Sequence, residues 1–198
     1  MLANDKSEYA SAQIKAALSA KLAFNFLVPL MPKQLVAYYS WTGNTAKVAK
    51  LLAETLSADI EEILEVKPRS GLLSFMATVV DSVLKRSPPI LQATKNVADY
   101  DVVILGCPVW ASNMATPMRT YIMQENPRIK HVALFCTLGG SGGKLALARM
   151  AALSEQTSLA DLILEQPALT SGKWRGLTEN FARQVLKIEM ESLAVDSA

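Results

Sequence analysis

The 198-residue sequence has one histidine and two cysteines, too few soft ligands for a zinc site of the usual Cys/His kinds. Two cysteines in a chain of this length also make no disulfide framework. No apolar run reaches the roughly 18 residues of a membrane span. The longest, Leu22 to Met31, is broken by Asn25 and Pro29. A large charge of one sign is missing as well. Twenty basic and 18 acidic side chains leave a formal charge of +2, which fits neither a nucleic-acid binder nor a strongly acidic docking protein. What is present is apolar: 51% of residues are hydrophobic and 19% charged, enough for a sizeable core and too apolar for general disorder. The expectation is a soluble, cytoplasmic, single-domain protein with no structural metal, no nucleic-acid partner and no membrane span.

Cys107 and Cys136 each lie at the end of an apolar run that reads as a buried strand. Inert buried thiols are the favoured reading; the rival, a redox pair, requires the two strands to be neighbours. His131 opens the second of those strands and is given no role.

Residues 1–32 differ from the remainder. From about Lys6 to Phe26 the segment is alanine-rich, with Ile14, Leu18, Leu22 and Phe26 four apart on one helical face. Asp5 and Glu8 stand where a secretory signal would carry positive charge. The segment reads as an amphipathic helical extension that packs on the domain or on a second subunit, the latter making a homodimer. A membrane-surface role is the weaker alternative.

From Gln34 the pattern alternates strand and helix. Strands are expected at Gln34–Tyr39, Asp59–Val66, Asp101–Cys107, His131–Thr137 and Leu159–Glu165. Helices are expected at Asn44–Leu56, from about Gly71 to Lys85, at Pro117–Gln124 with Thr116 as N-cap, at Lys144–Glu155, and in a closing helix carrying Leu177, Phe181, Val185 and Ile188. Five strands alternating with helices imply a parallel α/β sheet covered on both faces. In such a sheet ligands bind beyond the carboxyl ends of the strands, where strand order reverses.

The turns at that edge carry unusual residues. Ser40-Trp41-Thr42-Gly43-Asn44-Thr45 sets hydroxyls and an amide around a glycine directly before a helix. A phosphate there could accept N–H bonds from the helix N-terminus and hydroxyl bonds from Ser40, Thr42 and Thr45. The Walker A pattern is absent, so the phosphate would be held and not transferred; the competing reading is a simple helix cap at Thr42 or Asn44. Pro108-Val109-Trp110-Ala111-Ser112-Asn113 offers an indole that can cover a planar ring; the weaker alternative is that this tryptophan packs into the core. Leu138-Gly139-Gly140-Ser141-Gly142-Gly143 lets the backbone approach a ligand closely.

These three loops resemble those of the flavodoxin-like FMN-binding proteins, whose phosphate loop has the form S/T-x-T-G-N-T. The chain is similar in particular to the short flavodoxin-family proteins of bacteria through Gly106-Cys107-Pro108-Val109-Trp110, the turn Cys136 to Gly143, Gly71-Leu72-Leu73 and Arg86-Ser87-Pro88-Pro89. The resemblance runs from about Lys33 to about Ile188. It implies a flavodoxin-like doubly wound five-stranded parallel sheet of order 2-1-3-4-5, occupying residues 33–193 between the helical extension and a short tail, 194–198. It also implies FMN as cofactor. Ser40, Thr42, Gly43, Asn44 and Thr45, with the Trp41 backbone, would hold the phosphate. Pro108, Val109, Trp110, Ala111 and Ser112 would border the isoalloxazine, Trp110 flanking one face. Leu138, Gly139, Gly140, Ser141 and Gly142 would approach the pyrimidine edge.

No side chain is assigned to acid–base catalysis. The implied function is electron transfer or a small flavin oxidoreductase, with NAD(P)H or a reductase as donor and a quinone or protein as acceptor. Low-potential flavodoxins are strongly acidic and offer a tyrosine in the third loop. This chain has a sequence pI near 8.5 and only glycine and serine between Gly139 and Gly143, which points toward two-electron exchange. The alternative is a flavin-free doubly wound binding or regulatory module. A receiver domain would need acids where Tyr39-Ser40 stand, and a low-molecular-weight phosphatase a cysteine within Trp41 to Thr45.

Overall fold

The computed structural model describes residues 32–67 and 86–196. The expected helices at 6–26 and 71–85 lie outside the described residues. From Lys33 onward the described residues belong to one compact unit.

Among the described residues six strands form: β1 (Gln34–Tyr38), β2 (Asp59–Glu62), β3 (Val102–Trp110), β4 (Asn113–Met114), β5 (His131–Leu138) and β6 (Ser158–Glu165). The helices are α1 (Asn44–Leu56), α2 (Thr116–Glu125), α3 (Gly143–Leu153), α4 (Gln166–Ser171) and α5 (Trp174–Asp196). The long strands are parallel in the order β2-β1-β3-β5-β6. Counted without the two-residue β4, this is the expected 2-1-3-4-5 arrangement. β4 itself was not legible as a strand. It folds back antiparallel on the end of β3, Val109 opposite Met114 and Trp110 opposite Asn113.

Alternation along the strands builds two cores. Leu35, Ala37, Val103, Leu105, Cys107, Val132, Leu134 and Cys136 face Met118, Tyr121 and Ile122 of α2 and Leu147 and Met150 of α3. Val36, Tyr38, Val102, Ile104, Ala133, Phe135, Leu162 and Leu164 face Val48, Ala49 and Leu52 of α1 and Phe181, Ala182 and Val185 of α5. Burial on both faces explains why the central strands read as unbroken apolar runs. Each buried valine, leucine, isoleucine, phenylalanine or methionine among them contributes about 1.5–3 kcal/mol of transfer free energy.

Three sequence expectations are corrected. The second strand ends at Glu62, not Val66, and of the apolar residues in that stretch only Ile63 is buried. Ile60, Leu64 and Val66 are exposed, while Glu61 and Glu65 are buried at 6% and 8% exposure. Hydrogen bonding decides this. Glu61 accepts from the Thr94 N–H (3.0 Å), the Thr94 hydroxyl (2.8 Å) and the Lys95 N–H (2.9 Å), and Glu65 accepts from the Tyr39 hydroxyl at 2.9 Å. A buried carboxylate with such partners is tolerated where an orphan one is not. Secondly, α2 begins at Thr116 itself, with Ala115 as N-cap and no side-chain cap. Thirdly, Leu177 of the closing helix is exposed, although Phe181 and Val185 pack as expected.

Candidate functional site

The loops after β1, β3 and β5 meet at the carboxyl edge of the sheet, and named contacts join them. The Thr45 and Thr137 hydroxyls are 2.8 Å apart, buried, tying the first turn of α1 to the end of β5. On the other side, Gly142 lies so close to Ser112 that a Cβ there would stand 2.3 Å from its Oγ and 2.6 Å from its Cα. The glycine is therefore required where the third loop crosses the second.

The first loop prepares a helix N-terminus without closing it. Gly43 is the N-cap, at φ 86°, with no side-chain cap, a conformation that suits glycine. The Lys47 N–H makes the first helical bond, to the Gly43 carbonyl at 3.1 Å. The Ser40 hydroxyl accepts from the Ala46 N–H at 3.2 Å. The first-turn N–H groups ahead of these have no intrahelical acceptor. Neither Thr42 nor Asn44 caps the helix, and the space beside Gly43 is open to 4 Å. Thr42 is exposed, Ser40, Trp41, Gly43 and Asn44 are half-buried, and Thr45 is buried. The Thr45 hydroxyl is engaged with Thr137, so what this residue offers outward is its N–H.

The second loop is a tight hairpin. Between the paired Trp110 and Asn113, both connecting residues are left-handed, Ala111 at φ 48° and Ser112 at φ 57°. Hairpins of two residues favour such angles, normally with Asn-Gly or Gly-Gly. Here two non-glycine residues carry them, at about 1–2 kcal/mol each. The turn is gripped from outside: Arg149 donates to the Ser112 carbonyl at 3.1 Å and Arg119 to the Asn113 side-chain carbonyl at 3.3 Å. Sequence reasoning passed over both arginines, because each sits mid-helix and only the fold brings it to the turn.

Trp110 is 5% exposed. Its ring meets Tyr39 and Trp41 edge-on, at centroid distances of 5.7 and 6.0 Å. Protein therefore occupies most of the indole surface, and the half-buried Trp41 is the more accessible of the two indoles. Pro108, Val109 and Ser112 are half-buried and Ala111 is exposed. In the third loop Leu138 is buried, Gly139, Gly140 and Ser141 are exposed, and Gly142 is the N-cap of α3 at φ 95°, again without a side-chain cap. Two helix N-termini thus lie at one edge, that of α1 with open space beside its N-cap and that of α3 packed against Ser112. None of the residues 40–45, 108–113 or 138–143 is acidic.

The cysteines lie side by side, Cys107 opposite Cys136 in the β3–β5 register, both buried and unoxidised. The strands are neighbours, as a redox pair requires. Burial, however, pushes the Cys107 thiol up to about 12 and the Cys136 thiol upward as well. A thiol without thiolate character is a poor nucleophile, so the packing reading is the one the environment favours. No helix among the described residues is long and apolar enough to cross a membrane.

Residues 33–173 match the family model described as Flavodoxin. Among solved structures, the chain is similar to a flavoprotein of Lactobacillus acidophilus in complex with FMN: 23% identity, TM-score 0.60, over 72% of this chain and 98% of that one. It is also similar to flavoproteins of Bacteroides eggerthii (24% identity, TM-score 0.58, 76% and 98% covered) and Bacteroides uniformis (23%, 0.55, 72% and 97%). At these identities the structural likeness establishes the fold. The family match extends from the first strand through all three edge loops and past β6, and the chain belongs to the flavodoxin family.

Proposed function

We propose that the chain binds FMN at the carboxyl edge of its sheet and serves as a redox protein that exchanges electron pairs between a nicotinamide donor and a quinone or protein acceptor. The observation that carries this reading is the α1 N-terminus. It has uncapped first-turn N–H groups, open space at Gly43 and no acidic residue in the loops around it. A terminal phosphate fits that chemistry through the positive end of the helix and its free donors.

The Ser40–Thr45 loop would hold the phosphate through the Thr42 hydroxyl and the N–H groups of Gly43, Asn44 and Thr45, Ser40 keeping the turn in shape through Ala46. Pro108 to Ser112 would border the ring system. Leu138 to Gly142 would offer N–H groups to its polar edge. Trp110, buried under Trp41 and Tyr39, anchors the aromatic wall that the first two loops share. Bound FMN would supply the electron-accepting ring, and the protein its orientation, polarity and access. N–H donors and Lys144, with no carboxylate close by in sequence, favour an anionic form of the bound group. That favours two-electron exchange over single-electron relay.

The test is a flavin titration of the purified protein, followed by turnover with NADH or NADPH and a quinone. FMN binding much tighter than riboflavin, with quinone-dependent oxidation of a nicotinamide, is the expected result. Failure to take up any flavin would return the chain to the binding or regulatory modules that share this topology.

A further inference from the structure

Arg119 and Arg149 come from different helices, α2 and α3, and their guanidinium groups converge on consecutive residues of one turn, Asn113 and Ser112. Among the described residues neither forms an ion pair with a carboxylate. Each spends a single hydrogen bond on the turn, out of five N–H donors. The Arg119 Nε is buried with no hydrogen-bond partner. Partial burial lowers the Arg119 pKa, and the neighbouring Arg149 charge lowers it further, since like charges placed together repel. The protein thus keeps two half-buried, unneutralised cations beside the turn that borders the proposed flavin site.

Holding a hairpin turn would need one neutral donor at each position, not two full positive charges. We propose that the Arg119–Arg149 pair is a binding site for a dianionic phosphate monoester, that of a phosphorylated nicotinamide dinucleotide arriving at the ring edge. Two guanidinium forks match a phosphate's several acceptor oxygens and its double charge. A single side-chain carboxylate would satisfy only one of them. Neither arginine is fully exposed, which suits a small ligand better than a flat protein surface. This inference deepens the nicotinamide arm of the reading above and rests on it.

The redox-inert probe is adenosine 2′,5′-bisphosphate, titrated calorimetrically into the purified protein before and after FMN is added, with 5′-AMP and inorganic phosphate as comparisons. Arg149→Gln and Arg119→Gln are each expected to weaken the bisphosphate by roughly tenfold or more, as for the loss of a charge-assisted hydrogen bond. Arg149→Lys should recover part of that loss. FMN content and the circular dichroism spectrum report whether a variant keeps its turn. Should a Gln variant misfold, wild-type binding must still weaken steeply with salt, as charge pairing demands. The site is overturned if the bisphosphate does not bind, if binding ignores salt or both substitutions, or if 5′-AMP or inorganic phosphate binds as tightly. Arginine-dependent bisphosphate binding by a protein that takes no flavin would uphold the site and refute the flavin reading, so the two fail separately.

Discussion

Gly142 packs against Ser112 across two loops, with no room for a β-carbon between them. The third loop can therefore reach its position only with glycine at 142, which also has a φ of 95°. Gly142→Ala combines that strained conformation, about 1–2 kcal/mol, with displacement of the Ser112 turn. It is expected to lower the melting temperature by several degrees and to weaken flavin binding. Gly140→Ala, where nothing lies within 4 Å, should melt as the wild type does. Equal melting of the two variants would show that the loops are free to move apart.

The α1 N-terminus permits a charge-only test. Gly43 is left-handed with open space beside it, and both Asn and Asp tolerate that backbone better than other residues. Gly43→Asn is expected to retain most FMN affinity. Gly43→Asp, of nearly equal shape, sets a carboxylate beside the phosphate and should weaken FMN by well over tenfold while leaving riboflavin less affected. Two variants with the same FMN affinity would mean that the phosphate lies elsewhere.

How far the sequence carries depends on what each residue answers to. The central strands and the Ser40–Thr45 loop were legible because burial on both faces and a helix start both leave local patterns. The hairpin after Trp110 was not, since Ala111-Ser112 carries none of the Asn-Gly chemistry its angles favour, and the arginines that grip it come from distant helices. The second strand misled for a related reason. Glu61 and Glu65 are buried by hydrogen bonds to Thr94, Lys95 and Tyr39, partners that only the fold supplies. Trp110 is the intermediate case. Its place at the ligand edge was readable, but its burial beneath Trp41 depends on the packing of two loops.

Gly106 faces Phe135 across the β3–β5 ladder, and a Cβ at 106 would fall 1.9 Å from the phenyl ring. The glycine serves the core. Gly106→Ala is expected to destabilise the fold by about 1–3 kcal/mol, the usual cost of overpacking. Phe135→Leu alone should also destabilise, by leaving space. Combined, the two should cost less than their sum, because the smaller side chain admits the new methyl. Strict additivity in denaturant melts would refute the contact.

Both cysteines are expected to resist alkylation in the native protein, since burial raises their pKa values and denies access. Iodoacetamide at neutral pH should label neither within the time in which it labels both in denaturant. Mild oxidation should leave the mass and the melting temperature unchanged. Rapid native labelling, or loss of two hydrogens in the mass spectrum without unfolding, would instead establish a working Cys107–Cys136 pair.

Asp101 links the start of β1 to the start of β3. Its carboxylate accepts the Lys33 N–H at 2.9 Å and lies 3.1 Å from the Lys130 ammonium. The backbone hydrogen bond first, and Lys130 second, hold its pKa below the ordinary 3.8. A group whose folded pKa is depressed adds stability above its unfolded value, and that contribution disappears as pH falls through the folded one. Asp101 therefore stabilises the fold fully at neutral pH and begins to fail below about pH 4. Because the side chain is nearly half exposed, solvent and salt hold the contribution to under about 1 kcal/mol. Asp101→Asn keeps an acceptor for the Lys33 N–H and removes the charge. It is expected to melt slightly below the wild type at pH 7, with the gap closing below pH 4 and shrinking in high salt. A gap that persists unchanged at pH 3 would mean that the carboxylate acts through shape and not through charge.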